Sequence, residues 1–334
     1  MRSNKSKIWS FAVVMSFAVF CTSQVHAQQT WQAKLGGQSK DMARQAIAFL
    51  PNEMWIHVGD SINWTSGSDD IHTVSFFISG QKYQDFTVGC PGYSAPGTTF
   101  DGSHCVSAPP LVTGQSFPIK FMAPGNFKMI CLVHPSMTGV IHVLARGAAL
   151  PHDQAFYNDQ AEDQQKSLLA DVDHGHMDMN MKSISMRVIP GKASVVAGTG
   201  EISSTGAGFE SLSVVRFMNE KIEIHPGDTV EWTNLDPSLP HTVTFGTEPD
   251  PAHFFPPSGN VSVDADGARH ATISFVGESV HSGFLVAAAV DQSGVTVAAP
   301  SATVLRITFT HPGTYDYICA LHDNLGMMGK VIVK

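Results

Sequence analysis

The chain has 334 residues, 43% of them apolar and only 15% charged, with 29 Gly and 19 Pro spread along its length. That balance excludes a disordered chain, and the length bounds the fold at about two domains of ~100–200 residues each. A net charge of −9 excludes an electrostatic footprint for nucleic acid, and five Cys are too few for a disulfide scaffold.

Residues 1–27 read as a secretory signal. Arg2, Lys5 and Lys7 precede an apolar run from Ile8 to Phe20, and Val25-His26-Ala27 offers a small-residue cleavage site. The run is too short for a comfortable membrane span, so no span is expected after cleavage. Cys21 leaves with the signal, and a periplasmic or secreted protein remains.

The rest of the chain repeats. Ile56-His-Val-Gly-Asp-Ser-Ile-Asn-Trp64 matches Ile224-His-Pro-Gly-Asp-Thr-Val-Glu-Trp232 at an offset of 168, and Ile71-His-Thr-Val-Ser-Phe76 matches Pro240-His-Thr-Val-Thr-Phe245 at 169. A third block, Ala123 to His134, matches Thr310 to His322. Three blocks recurring in order point to a duplicated domain. The duplication also accounts for His57 and His225, which read as surface residues beside turns.

Each copy alternates apolar and polar residues between Gly, Pro, Asn and Asp, the pattern of an antiparallel sandwich or barrel. Phe127, Met129 and Cys131, like Tyr315, Tyr317 and Cys319, fall on one strand face. Between the copies, Pro151 to Val172 lacks this pattern. Pro151 at a first helical position and a weak apolar face of Phe156, Leu168 and Leu169 predict a linker helix. The boundaries expected are signal 1–27, first domain 28–147, linker 148–186 and second domain 187–334.

The chemistry sits in the third block. Cys131, His134 and Met137 recur as Cys319, His322 and Met327, and each set has an upstream His, His72 or His241, on a separate strand. One thiolate, two imidazoles and a long-range thioether are the ligand set of a mononuclear blue-copper site, with soft donors for Cu(I) and imidazoles for both oxidation states. The competing readings are buried structural side chains and zinc, for which this donor set is unusual. Met328 competes with Met327, and counting back from the following Gly selects Met327. Thr73 and Thr242 are candidates for hydrogen bonds near the sites.

Both copies resemble cupredoxins. The second is similar to plastocyanin through Cys319, His322, Met327, Gly329 and Lys330 and through Pro240, His241 and Val243; the first, with its shorter loop, is similar to amicyanin and pseudoazurin. The resemblance implies an all-β chain of two Greek-key β-sandwiches, two type 1 coppers and redox-protein partners. It departs in Ile71, where plastocyanin has Pro, and in the 78 positions from His241 to Cys319 against 59 from His72 to Cys131.

Copper oxidases and nitrite reductases share the fold and place His beside the copper Cys; here the flanking residues are Ile130 and Leu132, and Ile318 and Ala320. His104-Cys105 has no ligand after it at the required spacing. Electron transfer is therefore the expected function and enzymatic turnover is not. Copper storage or tolerance is the alternative, suggested by His174, His176, Met177, Met179 and Met181, a stretch that otherwise reads as a flexible loop. Cys90 and Cys105, in an insertion of the first copy, suit a disulfide in an exported protein, with two free thiols as the other reading.

Overall fold

The computed structural model describes residues 27–78, 81, 90, 92–170, 192–287 and 302–334. Residues 1–26, nearly all of the 1–27 stretch expected to be a signal, and the His/Met-rich stretch lie outside the described residues.

The first copy contributes ten strands: β1 (Thr30–Gln38), β2 (Arg44–Leu50), β3 (Glu53–His57), β4 (Ser61–Ser66), β5 (Ser75–Phe76), β6 (Thr98–Phe100), β7 (Val106–Ser107), β8 (Ser116–Phe121), β9 (Gly125–Ile130) and β10 (Thr138–Leu144). Helix α1 (Gln154–Ala170) follows. The second copy contributes β11 (Lys192–Ser204), β12 (Phe209–Met218), β13 (Lys221–Ile224), β14 (Thr229–Leu235), β15 (Thr244–Phe245), β16 (Ser262–Val263), β17 (Arg269–Ile273), β18 (Val280–His281), β19 (Val304–Phe309), β20 (Gly313–Ile318) and β21 (Met328–Val333). The chain is thus all-β with a helix between two β regions.

Each region has a private five-stranded sheet, β3-β10-β9-β5-β7 in the first and β13-β21-β20-β15-β18 in the second. The facing sheets are not separate. They merge into one of eleven strands, β16-β17-β19-β14-β11-β12-β2-β1-β4-β8-β6, because β2 pairs antiparallel with β12. Strand alternation packs each sandwich: Ile62 and Trp64 on β4, and Val230 and Trp232 on β14, are buried between exposed or half-buried neighbours. Met129 and Cys131, and Tyr315, Tyr317 and Cys319, point inward as their period of two predicts, with Phe127 half-buried.

The register across the joint has twofold character. Gly37 pairs with Ala46 in the first copy and Thr199 with Val214 in the second, so Ala46 and Val214 are equivalent, as are Gln45 and Ser213, and Arg44 and Leu212. Across the joint Arg44 faces Val214 and Ala46 faces Leu212, pairs that interchange when the copies do. Gln45 opposite Ser213 marks the pseudo-twofold axis.

The linker helix starts later than Pro151. Asp153 caps it, its Oδ1 accepting from Phe156 N at 3.0 Å. Its apolar face matches the expected one in part: Leu168 is buried with Tyr157 and Ala161, and Leu169 packs beside it, while Phe156 is 43% exposed. Ala161 and Leu168 cover Ala46, Ala48 and Leu50 of β2 beside the joint. The Tyr157 hydroxyl accepts from Trp55 N at 2.8 Å. His57, expected at the surface, is buried, with Nε2 2.8 Å from Ala148 O, because the chain leaving β10 crosses it; His225 is exposed. Cys90 and Cys105 form a disulfide.

Candidate metal centres

Three segments build each centre. Two backbone hydrogen bonds hold each upstream His against a neighbouring segment: His72 N to Leu111 O at 3.0 Å with the return bond at 2.8 Å, and His241 N to Leu285 O at 2.9 Å with the return at 2.7 Å. The Cys ends its strand, and the loop behind it closes on itself. Cys131 N donates to Met137 O at 3.0 Å and Met137 N to His134 O at 2.8 Å; Cys319 N donates to Met327 O at 3.0 Å and Met327 N to His322 O at 3.1 Å. Cys, His and Met are thereby gathered at one end of each sandwich. The longer second loop takes up its two extra residues as a 3-10 turn, Asp323–Leu325, ended by Gly326 at φ 89°.

The donor atoms converge. In the first centre Nδ1 of His72 and Nδ1 of His134 are 3.2 Å apart, and Sγ of Cys131 is 3.8 Å from Nδ1 of His134. In the second, the two Nδ1 atoms of His241 and His322 are 3.1 Å apart, with Sγ of Cys319 3.9 and 3.5 Å from them. Each trio lies within 4.8 Å. A single ion bonded at about 2.0–2.3 Å to each donor would produce separations of this size. Met137 and Met327 are fully buried at the loop ends, whereas Met328 is 54% exposed.

Burial sets the protonation that a metal requires. It pushes all four imidazoles down to about 3, so they are neutral at physiological pH, with Nδ1 turned inward. Burial pushes both thiols up, so a buried thiolate needs a compensating cation. Part of that charge is met by amides: Thr73 N and Thr242 N each donate to a Cys Sγ at 3.3 Å. The Thr73 and Thr242 hydroxyls accept from Leu132 N and Ala320 N, both at 2.7 Å, tying the strand that carries His to the loop that carries Cys.

Four features were missed in the sequence. The ring of each upstream His lies on a glycine of a β-bulge, Gly36 at φ 64° and Gly198 at φ 78°, where a Cβ would meet Nε2 at 2.2 and 2.0 Å. The signal was present, since both copies carry Gly inside a strand, but it sits at an offset of 162 rather than 168. Ser68 Oγ is 2.8 Å from Nε2 of His72. The corresponding place behind His241 is taken by Asp236, whose Oδ2 is 3.5 Å from Nε2. Ser238 N, Leu239 N and Ser213 Oγ hold its Oδ1, and burial pushes its carboxyl up to about 7. Finally, Asp70 Oδ2 lies 3.4 Å from Nε2 of His134 and accepts no hydrogen bond among the described residues.

Residues 204–334 match the family of copper binding proteins, plastocyanin/azurin family. Amicyanin-alpha of Methylorubrum extorquens is 30% identical over 97 residues, which is 29% of this chain and 65% of that protein, just under two thirds of its length. Among solved structures, a reduced-state amicyanin mutant aligns at 17% identity over 34% of this chain and 82% of its own, with a TM-score of 0.24. A reduced Cu(I) form of another amicyanin mutant aligns at 18% over 36% and 87%, with a TM-score of 0.25. The second copy, over residues 204–334, thus matches the plastocyanin/azurin family of copper-binding proteins, and the chain has an amicyanin among its relatives.

Proposed function

We propose that this chain is an exported electron carrier with two mononuclear type 1 copper sites, one in a domain at 28–147 and one at 187–334, joined by the 148–186 linker. The observation that carries the reading is the donor set itself: two neutral imidazoles, a thiol supplied with an amide donor and a buried thioether at the loop end, built twice. Bound copper would supply a one-electron couple.

The protein's own part is to hold the donors still and dry. The closed Cys-to-Met loops and the paired backbone hydrogen bonds at each upstream His keep the donors in place, so little rearrangement accompanies a change of charge. Buried walls exclude water from the sulfur. Carrier rather than oxidase is supported by Ile130, Leu132, Ile318 and Ala320 beside the two Cys, where a substrate-binding copper would take His. Export is supported by the 1–27 segment and by the Cys90–Cys105 disulfide. The partners are then redox proteins of the same compartment.

Copper analysis and optical spectra of the mature protein, Cys131→Ala and Cys319→Ala test this. Two coppers per chain are expected, with each variant losing part of an intense visible thiolate band while reduction stays rapid and reversible without turnover of nitrite or phenols. A protein that binds copper without colour would overturn the carrier reading in favour of copper handling.

A further inference from the structure

Two buried polar atoms behind the second centre face each other. Oδ2 of Asp236 and Nε2 of His241 are 3.5 Å apart, both residues are fully buried, and neither atom has another hydrogen-bond partner among the described residues. The separation is only slightly longer than an ordinary N–H···O bond.

The direction of the carboxylate is fixed by its other oxygen. Oδ1 accepts from Ser238 N at 2.9 Å, Leu239 N at 3.1 Å and Ser213 Oγ at 3.1 Å. Asn234 ties down the same turn: its Oδ1 accepts from Asp236 N at 2.6 Å, and its Nδ2 donates to Leu239 O and to Leu285 O, the residue bridged to His241. The first copy adds two braces. Ser136 Oγ of its ligand loop donates to Ser238 Oγ at 3.1 Å, and Gln45 lies opposite Ser213 across the joint.

The first centre is built differently at this place. Ser66 and Ser68 stand at an offset of 168 from Asn234 and Asp236. Ser68 Oγ is 2.8 Å from Nε2 of His72, and a hydroxyl both donates and accepts.

We infer that Asp236 is a positioning residue for the second centre: as an acceptor with no hydrogen to give, the carboxylate keeps the ring hydrogen of His241 on Nε2 and leaves the Nδ1 lone pair free for a metal ion. The inference rests on the two-site reading above. Ser68 suits either tautomer of His72, so the first centre has no such lock. Asp236→Asn would reverse the sense of the contact. Its side-chain oxygen is retained by the amides of Ser238 and Leu239, which turns the NH2 group toward Nε2. That donor draws the ring hydrogen to Nδ1, the atom a metal needs.

Nitrogen NMR of isotope-labelled histidine rings in the metal-free protein, in mildly alkaline buffer, reads the tautomer directly. His241 is expected to carry its hydrogen on Nε2 in the unsubstituted protein and on Nδ1 in Asp236→Asn, with the signals of His72 and His134 unchanged as evidence that the fold is kept. Asp236→Ser, which copies the first centre, is expected to give a mixture, and Ser68→Asp to fix the hydrogen of His72 on Nε2. In a Cys131→Ala background, where the second centre alone keeps its thiol, Asp236→Asn is expected to weaken Cu(II) binding about tenfold or more. A His241 tautomer that responds to neither Asp236 substitution, or an unaltered Cu(II) affinity, overturns the positioning role while leaving two copper sites. Absence of copper from either centre of the unsubstituted protein overturns the two-site reading instead, and the tautomer of His241 still decides what Asp236 does.

Discussion

Gly198 and His241 share one small volume: a methyl group on the glycine would lie 2.0 Å from Nε2 of the imidazole. The same relation holds between Gly36 and His72, at 2.2 Å. Both glycines also have a positive φ, which costs an L-residue about 1–2 kcal/mol before any contact is counted. Gly36→Ala and Gly198→Ala are expected to displace the upstream His and lower stability by more than that backbone cost. Each should remove copper from its own centre first, read as loss of one metal equivalent while the other is retained.

The threonines after the upstream histidines are expected to act on stability and spectrum together. Thr73→Val and Thr242→Val keep the shape but remove the buried hydroxyl that accepts from Leu132 N or Ala320 N, a loss of about 1 kcal/mol in urea unfolding. The hydroxyls also lie 3.8 and 3.9 Å from the thiol sulfurs, so the visible band of the altered centre should shift. Thr→Ser, which retains the hydroxyl, should restore both.

Acid should destabilise the metal-free protein. The four imidazoles fall from 6.5 to about 3 on folding, so between those values the unfolded chain binds protons that the folded chain refuses. Their contribution is complete above 6.5 and is lost as pH falls toward 3. Asp236 has the opposite sign: raised from 3.8 to about 7, it contributes stability below 3.8 that is lost as pH rises through 7. Urea midpoints of the metal-free protein should decline on acidification, and copper should delay the decline by occupying Nδ1. Asp236→Asn should gain relative stability as pH rises toward 7 and above.

Replacing the disulfide tests its worth to the first copy. Cys90 and Cys105 are 15 residues apart, and opening a loop of that length costs about 3 kcal/mol in the chain-entropy model. Cys90→Ala with Cys105→Ala should lower the urea midpoint, and a reductant should then have no further effect.

The all-β fold and the placement of His72, Cys131 and His134, and of His241, Cys319 and His322, were legible because ligand spacing and strand alternation are local properties of the chain. What surrounds them was not. Gly36 and Gly198 lie in strands with little similarity and a different offset, and Asp236 replaces Ser68 behind an otherwise equivalent histidine. Asp70, 3.4 Å from Nε2 of His134, is brought there by the fold and carries no spacing signal in the chain. The sequence puts Phe156 on the buried face of the helix, yet it is 43% exposed and the neighbouring Tyr157 is the one aimed at Trp55.

The pairing of β2 with β12 also decides what either half would do alone. Each is the outermost strand of its own sheet, and separation would bare the amides and carbonyls now paired along Arg44–Ile47 and Ser211–Val214. Gln45 lies opposite its own counterpart, Ser213, so an excised half could offer the same register to a second copy of itself. Fusion of the halves gives each strand a neighbour at a fixed local concentration, and so guards an adhesive edge from strangers.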